Sequence, residues 1–188
     1  MKTNFSLIFL LLTFVFVLAS CGDDEGRGQP PHDPESQILI LGTSESVMAT
    51  PVNLFIRGID RQVTGTAYIM PFFDEITGER LGTATDIHFN AEPILEGGLR
   101  GESIVEFAFD DDGSTLVLHN FFEALPIEDA IFHATVKPEL TTDNLVGGTG
   151  RFANVTGGAT LDAILDFVDF NNSGFLDVDG TYHITINF

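Results

Sequence analysis

Beyond Gln37, apolar and polar side chains repeatedly alternate with a period of two, from Asn53 on, and no stretch carries the 3.6-residue period of a core helix. The alternation predicts strands over Asn53–Gly58, Val63–Phe73, Ala84–Asn90, Ser103–Asp110, Thr115–Phe121, Ile131–Lys137, Ala159–Phe170 and Phe175–Phe188. Turn-forming residues separate several of them, most clearly Asp110-Asp111-Asp112-Gly113 and Asn171-Asn172-Ser173-Gly174, followed by Thr77-Gly78 and Glu96-Gly97-Gly98. About eight antiparallel strands at hairpin spacing predict a closed barrel or a sandwich. Closure is favoured because it removes the sheet edges that long apolar strands would otherwise expose.

The same alternation assigns faces. In Ser103–Asp110, Val105, Phe107 and Phe109 share one side, while Glu106 and Asp110 lie on the other. In the last strand Tyr182, Ile184, Ile186 and Phe188 oppose Thr181, His183, Thr185 and Asn187. One face of the sheet is thus apolar and rich in aromatics. Its residues Val105, Phe107, Phe109 and Tyr182 are the candidates for lining a hydrophobic pocket, if the barrel is not simply filled.

The first twenty residues read differently. Lys2 is their only charge, and Phe5–Leu18 is an apolar run interrupted only by Ser6 and Thr13. As a helix it would reach about 21 Å, short of the hydrocarbon core of a bilayer, so it reads as the apolar region of an export signal. Leu18-Ala19-Ser20-Cys21 resembles the lipobox of bacterial lipoproteins, which implies lipidation of Cys21, the only cysteine of the chain. The acidic and proline-rich stretch after it reads as a flexible tether. The organisation expected is a signal peptide over residues 1–20, a lipidated tether over 21–36 and a β-barrel domain over 37–188. The implied location is the outer membrane, on its periplasmic or cell-surface side.

Charge narrows the partners. Across 188 residues, 28 Asp and Glu face 8 Lys and Arg, a formal charge of −20. Such a domain does not attract nucleic acid or an anionic membrane surface, so contact with the membrane is expected through the N-terminal lipid alone. One cysteine excludes an intrachain disulfide and a cysteine-cluster metal site.

Val146-Gly147-Gly148-Thr149-Gly150-Arg151-Phe152-Ala153-Asn154-Val155-Thr156-Gly157-Gly158-Ala159 is the most specific string in the chain. Its glycines allow a tight, irregular connection, Phe152 can anchor it in the core, and Gly157-Gly158 allows a bend before the following strand. No Lys follows Gly150 and no helix follows the loop, so it is not a phosphate loop. The string resembles the glycine-rich signature shared by plant dirigent proteins and bacterial domains with the allene oxide cyclase type of barrel. Gly147, Gly148, Thr149, Gly150, Phe152 and Gly157 carry that resemblance, and Phe73-Asp74-Glu75-Ile76-Thr77 with Leu81-Gly82-Thr83-Ala84 is similar to the segment that precedes it in dirigent proteins. Thr156 stands where those proteins commonly carry Arg. The resemblance implies an eight-stranded antiparallel barrel, often a homotrimer, with a hydrophobic pocket at one mouth.

Candidate chemistry is sparse. Asp86, His88 and Asn90 project from one face of a strand, where a carboxylate beside an imidazole can orient a water or act as a base. Ile87 and Phe89 form the opposite, apolar face, which places the polar trio outside a dry barrel. Asp169, Asn171, Ser173 and Asp177 match the opening positions of a calcium loop, yet Gly180 occupies the place of its bidentate Glu, and the same residues suffice as a hairpin turn. His119, His133 and His183 lie on different strands, without metal-ligand spacing. No nucleophile motif is present and no cofactor is implied.

Three functions fit these features. The first is a binding module that takes an apolar small molecule, or docks a partner, at the barrel mouth. The second is a cyclase- or isomerase-type enzyme whose aromatic cavity guides substrate geometry. The third is a structural surface protein with a filled barrel. An ionisable group such as Asp86 or His88 facing the interior would favour chemistry over binding.

Overall fold

A computed structural model describes residues 36–136 and 143–188. The leader, Cys21, the tether as far as Glu35, and Lys137 lie outside the described residues. Ten strands form one sheet: β1 (Ser36–Met48), β2 (Thr50–Ile56), β3 (Arg61–Asp74), β4 (Arg80–Pro93), β5 (Leu99–Phe109), β6 (Thr115–Glu128), β7 (Ile131–Val136), β8 (Leu145–Gly148), β9 (Thr156–Asp166) and β10 (Phe175–Asn187). Eight of them run in the order β1-β10-β9-β7-β6-β5-β4-β3, and β3 pairs back onto β1 to close an antiparallel barrel. At eight strands the interior is just wide enough for side chains to fill.

The closed eight-stranded barrel agrees with the expected fold, but its membership differs from the strands read in the sequence. β1 is a full barrel strand that pairs with β10 over Ser36–Met48, although the sequence shows no alternation there. Ile38 to Leu41 is continuously apolar and Gly42 to Ser46 is small or polar, so the inward set of Leu39, Leu41, Thr43 and Val47 is masked. Conversely, β2 lies outside the closed circuit and pairs only with β3. It ends at Ile56, and Arg57–Ile59 forms a 3-10 turn rather than continuing the strand.

β2 and that turn cover part of the barrel's outer wall. Ile56, Val63, Ala67, Ile87, Phe89 and Ile104 form a small apolar cluster there, with Val52, Leu54, Ile59 and Val117 packed against it. A side chain added at Gly58 would lie 3.7 Å from Val146 and 3.9 Å from Val117. β4 and β5 are therefore apolar on both faces over part of their length, and inside cannot be separated from outside there by hydrophobicity.

The interior is filled at one end by aromatics. Phe72 meets Phe107 and Phe109 edge-on, each at 5.1 Å between ring centres, and Phe109 meets Phe152 at 5.0 Å. Phe152 is buried, as its role as an anchor requires. The string that carries it is part strand: Leu145–Gly148 pairs with β6 before the 3-10 turn at Gly150–Phe152. Glycine is required at 157, where φ is 143° and a Cβ would fall 1.9 Å from the Thr185 carbonyl oxygen.

β6 is flanked by β8 over Leu116–Leu118 and by β7 from Phe122 onward. Between them Asn144 takes the place of a strand. Its backbone carbonyl accepts from His119 N–H at 2.8 Å, and its side-chain amide donates to Asn120 Oδ1 at 2.7 Å and to the Ala159 carbonyl at 2.9 Å. Ala159 N–H donates back to Asn144 Oδ1 at 2.6 Å. The buried amide thus joins β6 to β9 much as a peptide unit would. Asn144→Asp replaces its two donated hydrogen bonds with a buried carboxylate facing two acceptors, and is expected to cost about 3 kcal/mol or more in urea unfolding of the full chain. A loss below about 1 kcal/mol would contradict this role.

Candidate functional site

The site begins with a register effect. Ala124 pairs with Ala134, Ala134 with Ala163, Ala163 with Gly180, and Gly180 with Thr43. This row of small residues crosses β6, β7, β9, β10 and β1 at one level of the barrel. Three of its members, Thr43, Ala134 and Ala163, border a cavity of about 50 Å³ that is also lined by Tyr68, Asp86, His88, Ser103, Phe122 and Tyr182 among others. That is room for one or two waters, or for a few atoms of a larger molecule.

Asp86 and His88 face this cavity, which corrects the expectation that they lie outside. Ile87 and Phe89 are the outward pair, and they are apolar because β2 covers them. Asn90 does not join the site: it follows β4's regular pairing with β3, adopts φ 51°, and donates to Glu102 Oε1 on the outside at 2.8 Å.

His88 Nε2 lies 3.0 Å from Asp86 Oδ2. The imidazole stacks on Phe122 at 4.7 Å and meets the edge of Tyr68 at 5.1 Å, so its ring plane is fixed on two sides. Asp86 Oδ1 is buried without a hydrogen-bond partner, an acceptor left open in a largely apolar enclosure. The two side chains keep 13% and 25% of their surface accessible, enough for water or the end of a ligand to reach them.

Electrostatics follow from this geometry. Burial disfavours the His88 cation, but the charge of Asp86 and its hydrogen bond outweigh burial and raise the His88 pKa above its ordinary value. Burial, and then the Asp86 charge, raise the pKa of Tyr68 and raise that of Tyr182 well above its ordinary value. Both phenols therefore remain protonated donors at neutral pH. The cavity offers one open carboxylate oxygen, an imidazole and two phenolic O–H groups to whatever enters it.

The remaining sequence candidates are placed elsewhere. Val105, Phe107 and Phe109 are buried as expected, but they fill the barrel and do not line the cavity; of the four expected pocket residues only Tyr182 does. The calcium-loop candidates form no plain hairpin turn: Phe170–Ser173 is a single helical turn joining β9 to β10, Ser173 N–H and Oγ–H both donate to the Asp169 carbonyl, Ser173 Oγ accepts from Phe175 N–H, and Asp177 lies within β10. Phe188, expected on the inner face of the last strand, is exposed. Among the described residues no three His, Cys, Asp or Glu side chains converge as a metal site. His119 lies outside, 2.8 Å from Glu102, which also accepts from Arg61 at 2.8 Å. Burial works against the Glu102 carboxylate, but hydrogen bonds from Asn90, His119 and Arg61 outweigh it and lower its pKa.

Tyr68, Ser103, Ala134 and Ala163 were not legible as site residues. Their only signal is cross-strand register, although Ser103 beginning an inward series that continues Val105, Phe107, Phe109 was a visible departure.

Fold and site together define a small closed β-barrel, packed with aromatics at one end and holding an ionisable pair in a cavity at the other. No family model matches the chain, and no curated protein matches it. Among solved structures it is similar to the pterocarpan synthase dirigent protein PsPTS1, at 21% identity over 83% of this chain and 97% of that one, with a TM-score of 0.47. It is similar to the pterocarpan synthase dirigent protein GePTS1 at 17% identity, over 83% and 87% of the two chains, with a TM-score of 0.45. A pyocyanin demethylase matches at 14% identity, over 80% of this chain and all of that one, with a TM-score of 0.37.

Because its pKa is raised in the folded chain, His88 adds stability in its protonated form. Its contribution to stability is full below about pH 6.5 and is lost as pH rises through the folded-state value. Imidazole NMR titration of the full chain is expected to place His88 above about 6.5 and, in Asp86→Asn, below it, because burial then acts alone. An unchanged midpoint in that variant would contradict the pairing.

Proposed function

We propose that the inner cavity receives the oxygen-bearing end of a small, largely apolar molecule and that Asp86 and His88 move a proton on it, as in a cyclase or isomerase. The observation that carries this reading is the Asp86 carboxylate inside the barrel, one oxygen on His88 and the other buried and open. In such a site Asp86 Oδ1 takes a proton from a carbon or hydroxyl of the bound molecule, and the oxygen that gains charge is held by O–H groups of Tyr68 and Tyr182. His88 stabilises the Asp86 charge before transfer, and its raised pKa allows it to supply a proton afterwards. The apolar wall of Leu161, Leu165 and Leu176 packs on the apolar part of the substrate and fixes its geometry.

Binding without turnover is the second reading, favoured by the small volume of the cavity, which admits only part of a molecule. Both readings require an occupant and oppose a purely structural barrel. In both, the barrel stands on the outer membrane through a lipid on Cys21, and the acidic charge of the chain supports a domain held off an anionic leaflet. A homotrimer, as the resemblance implies, is compatible with either.

The test is mass spectrometry of small molecules extracted from the full chain after gentle purification from its own membrane. A discrete apolar molecule bearing oxygen is expected with the wild-type chain and is expected to be lost in Ala134→Leu, which fills the cavity. Asp86→Asn is expected to weaken its retention by roughly 10- to 100-fold, the value of one hydrogen bond to a charge. Equal small-molecule content in wild type and both variants would overturn the proposal. For the anchor, Cys21→Ser is expected to move the protein from the membrane to the soluble fraction; retention in the membrane would refute lipid attachment at that residue.

A further inference from the structure

A second, larger concavity lies on the outer wall, between the β2 end of the hairpin and the glycine string. It has a volume of about 580 Å³ and is bordered by Leu54–Gly58 on one side, by Thr85, Ile87, Ile104, Glu106, Thr115 and Val117 along its floor, and by Gly147–Thr149 on the other side. That volume falls within the range of small-molecule sites. Its floor is apolar because it continues the cluster beneath β2.

The charges at its border single it out. Arg61 pairs with Glu102, Arg80 with Asp110, Arg100 with Glu92, and Arg151 with both Asp111 and Asp112. Arg57 is the one arginine among the described residues without an ionic partner, in a chain where acids far outnumber bases. It is held at the rim by the 3-10 turn, where Asp60 N–H donates to its carbonyl oxygen at 3.3 Å. Glu106 borders the same groove, also unpaired, between Thr85 on β4 and Val117 on β6.

We infer that this outer groove binds an amphipathic monocarboxylate, its apolar body on Ile87, Ile104 and Val117 and its carboxylate on Arg57. Glu106 repels a second anionic group and accepts a hydrogen bond from a hydroxyl on the chain of the ligand. The matching ligand is therefore a hydroxylated apolar acid. The site lies on the opposite side of the sheet from Asp86 and His88, so the two can be tested apart.

The experiment is photolabelling of the full chain in membrane vesicles with a diazirine-bearing 3-hydroxydecanoic acid, followed by peptide mapping. Adducts are expected on residues 54–58 and 147–149 and are expected to be displaced by unlabelled 3-hydroxydecanoate but not by decanol. Arg57→Glu, an exposed substitution that leaves the barrel intact, is expected to reduce labelling on the order of tenfold, with recovery in Arg57→Lys. Ala134→Leu, which fills the inner cavity, is expected to leave labelling unchanged. Wild-type labelling in Arg57→Glu, adducts confined to interior residues, or a doubled native mass with residues 54–58 shielded by a second copy would each overturn the inference.

Discussion

Everything in this molecule follows from closing the sheet on itself. Once β3 pairs back onto β1, alternate side chains of eight strands must share one narrow interior, and their sizes at each level decide whether it is solid or hollow. At one level Phe72, Phe107, Phe109 and Phe152 fill it. At another, Ala134, Ala163 and Thr43 lie in one row of small residues brought into line by strand register, and the interior there is partly open. Between the stretches of β6 that pair with β8 and with β7, the Asn144 amide joins β6 to β9 by bonding as a backbone would.

The cavity matters because of what was placed against it. A carboxylate inside an apolar barrel is costly unless its oxygens are satisfied. Asp86 meets that demand on one side only, through His88. The remaining oxygen stays open, while its charge and the surrounding burial hold two tyrosines in their protonated form. A barrel built for stability alone would carry an apolar residue at position 86.

Much of the fold was legible in period-two alternation, because most strands are wet on one side. The errors occur where that condition fails. β1 opens with a continuous apolar run and then turns polar, so neither half alternates. In β4 the outward residues Ile87 and Phe89 are apolar because β2 lies over them, and the rule that apolar means inward turned Asp86 and His88 the wrong way. For Val105, Phe107 and Phe109 the face was read correctly, but whether a buried aromatic fills a core or lines a pocket depends on its partners across the barrel. The small-residue row was invisible for a related reason: its members are scattered over β1, β6, β7, β9 and β10 and become neighbours only through register. Phe152 was recoverable because the glycines around it impose a local geometry that needs an anchor.

Asp86 and His88 sit inside the barrel facing a space with room for a polar group. A high-resolution crystal structure of the full chain tests this placement most directly. The expected result is density in the cavity within hydrogen-bond distance of Asp86 Oδ1, with Ile87 and Phe89 covered by β2 on the outside. A barrel solidly packed at that level, with the Asp86 carboxylate turned to bulk solvent, would contradict it.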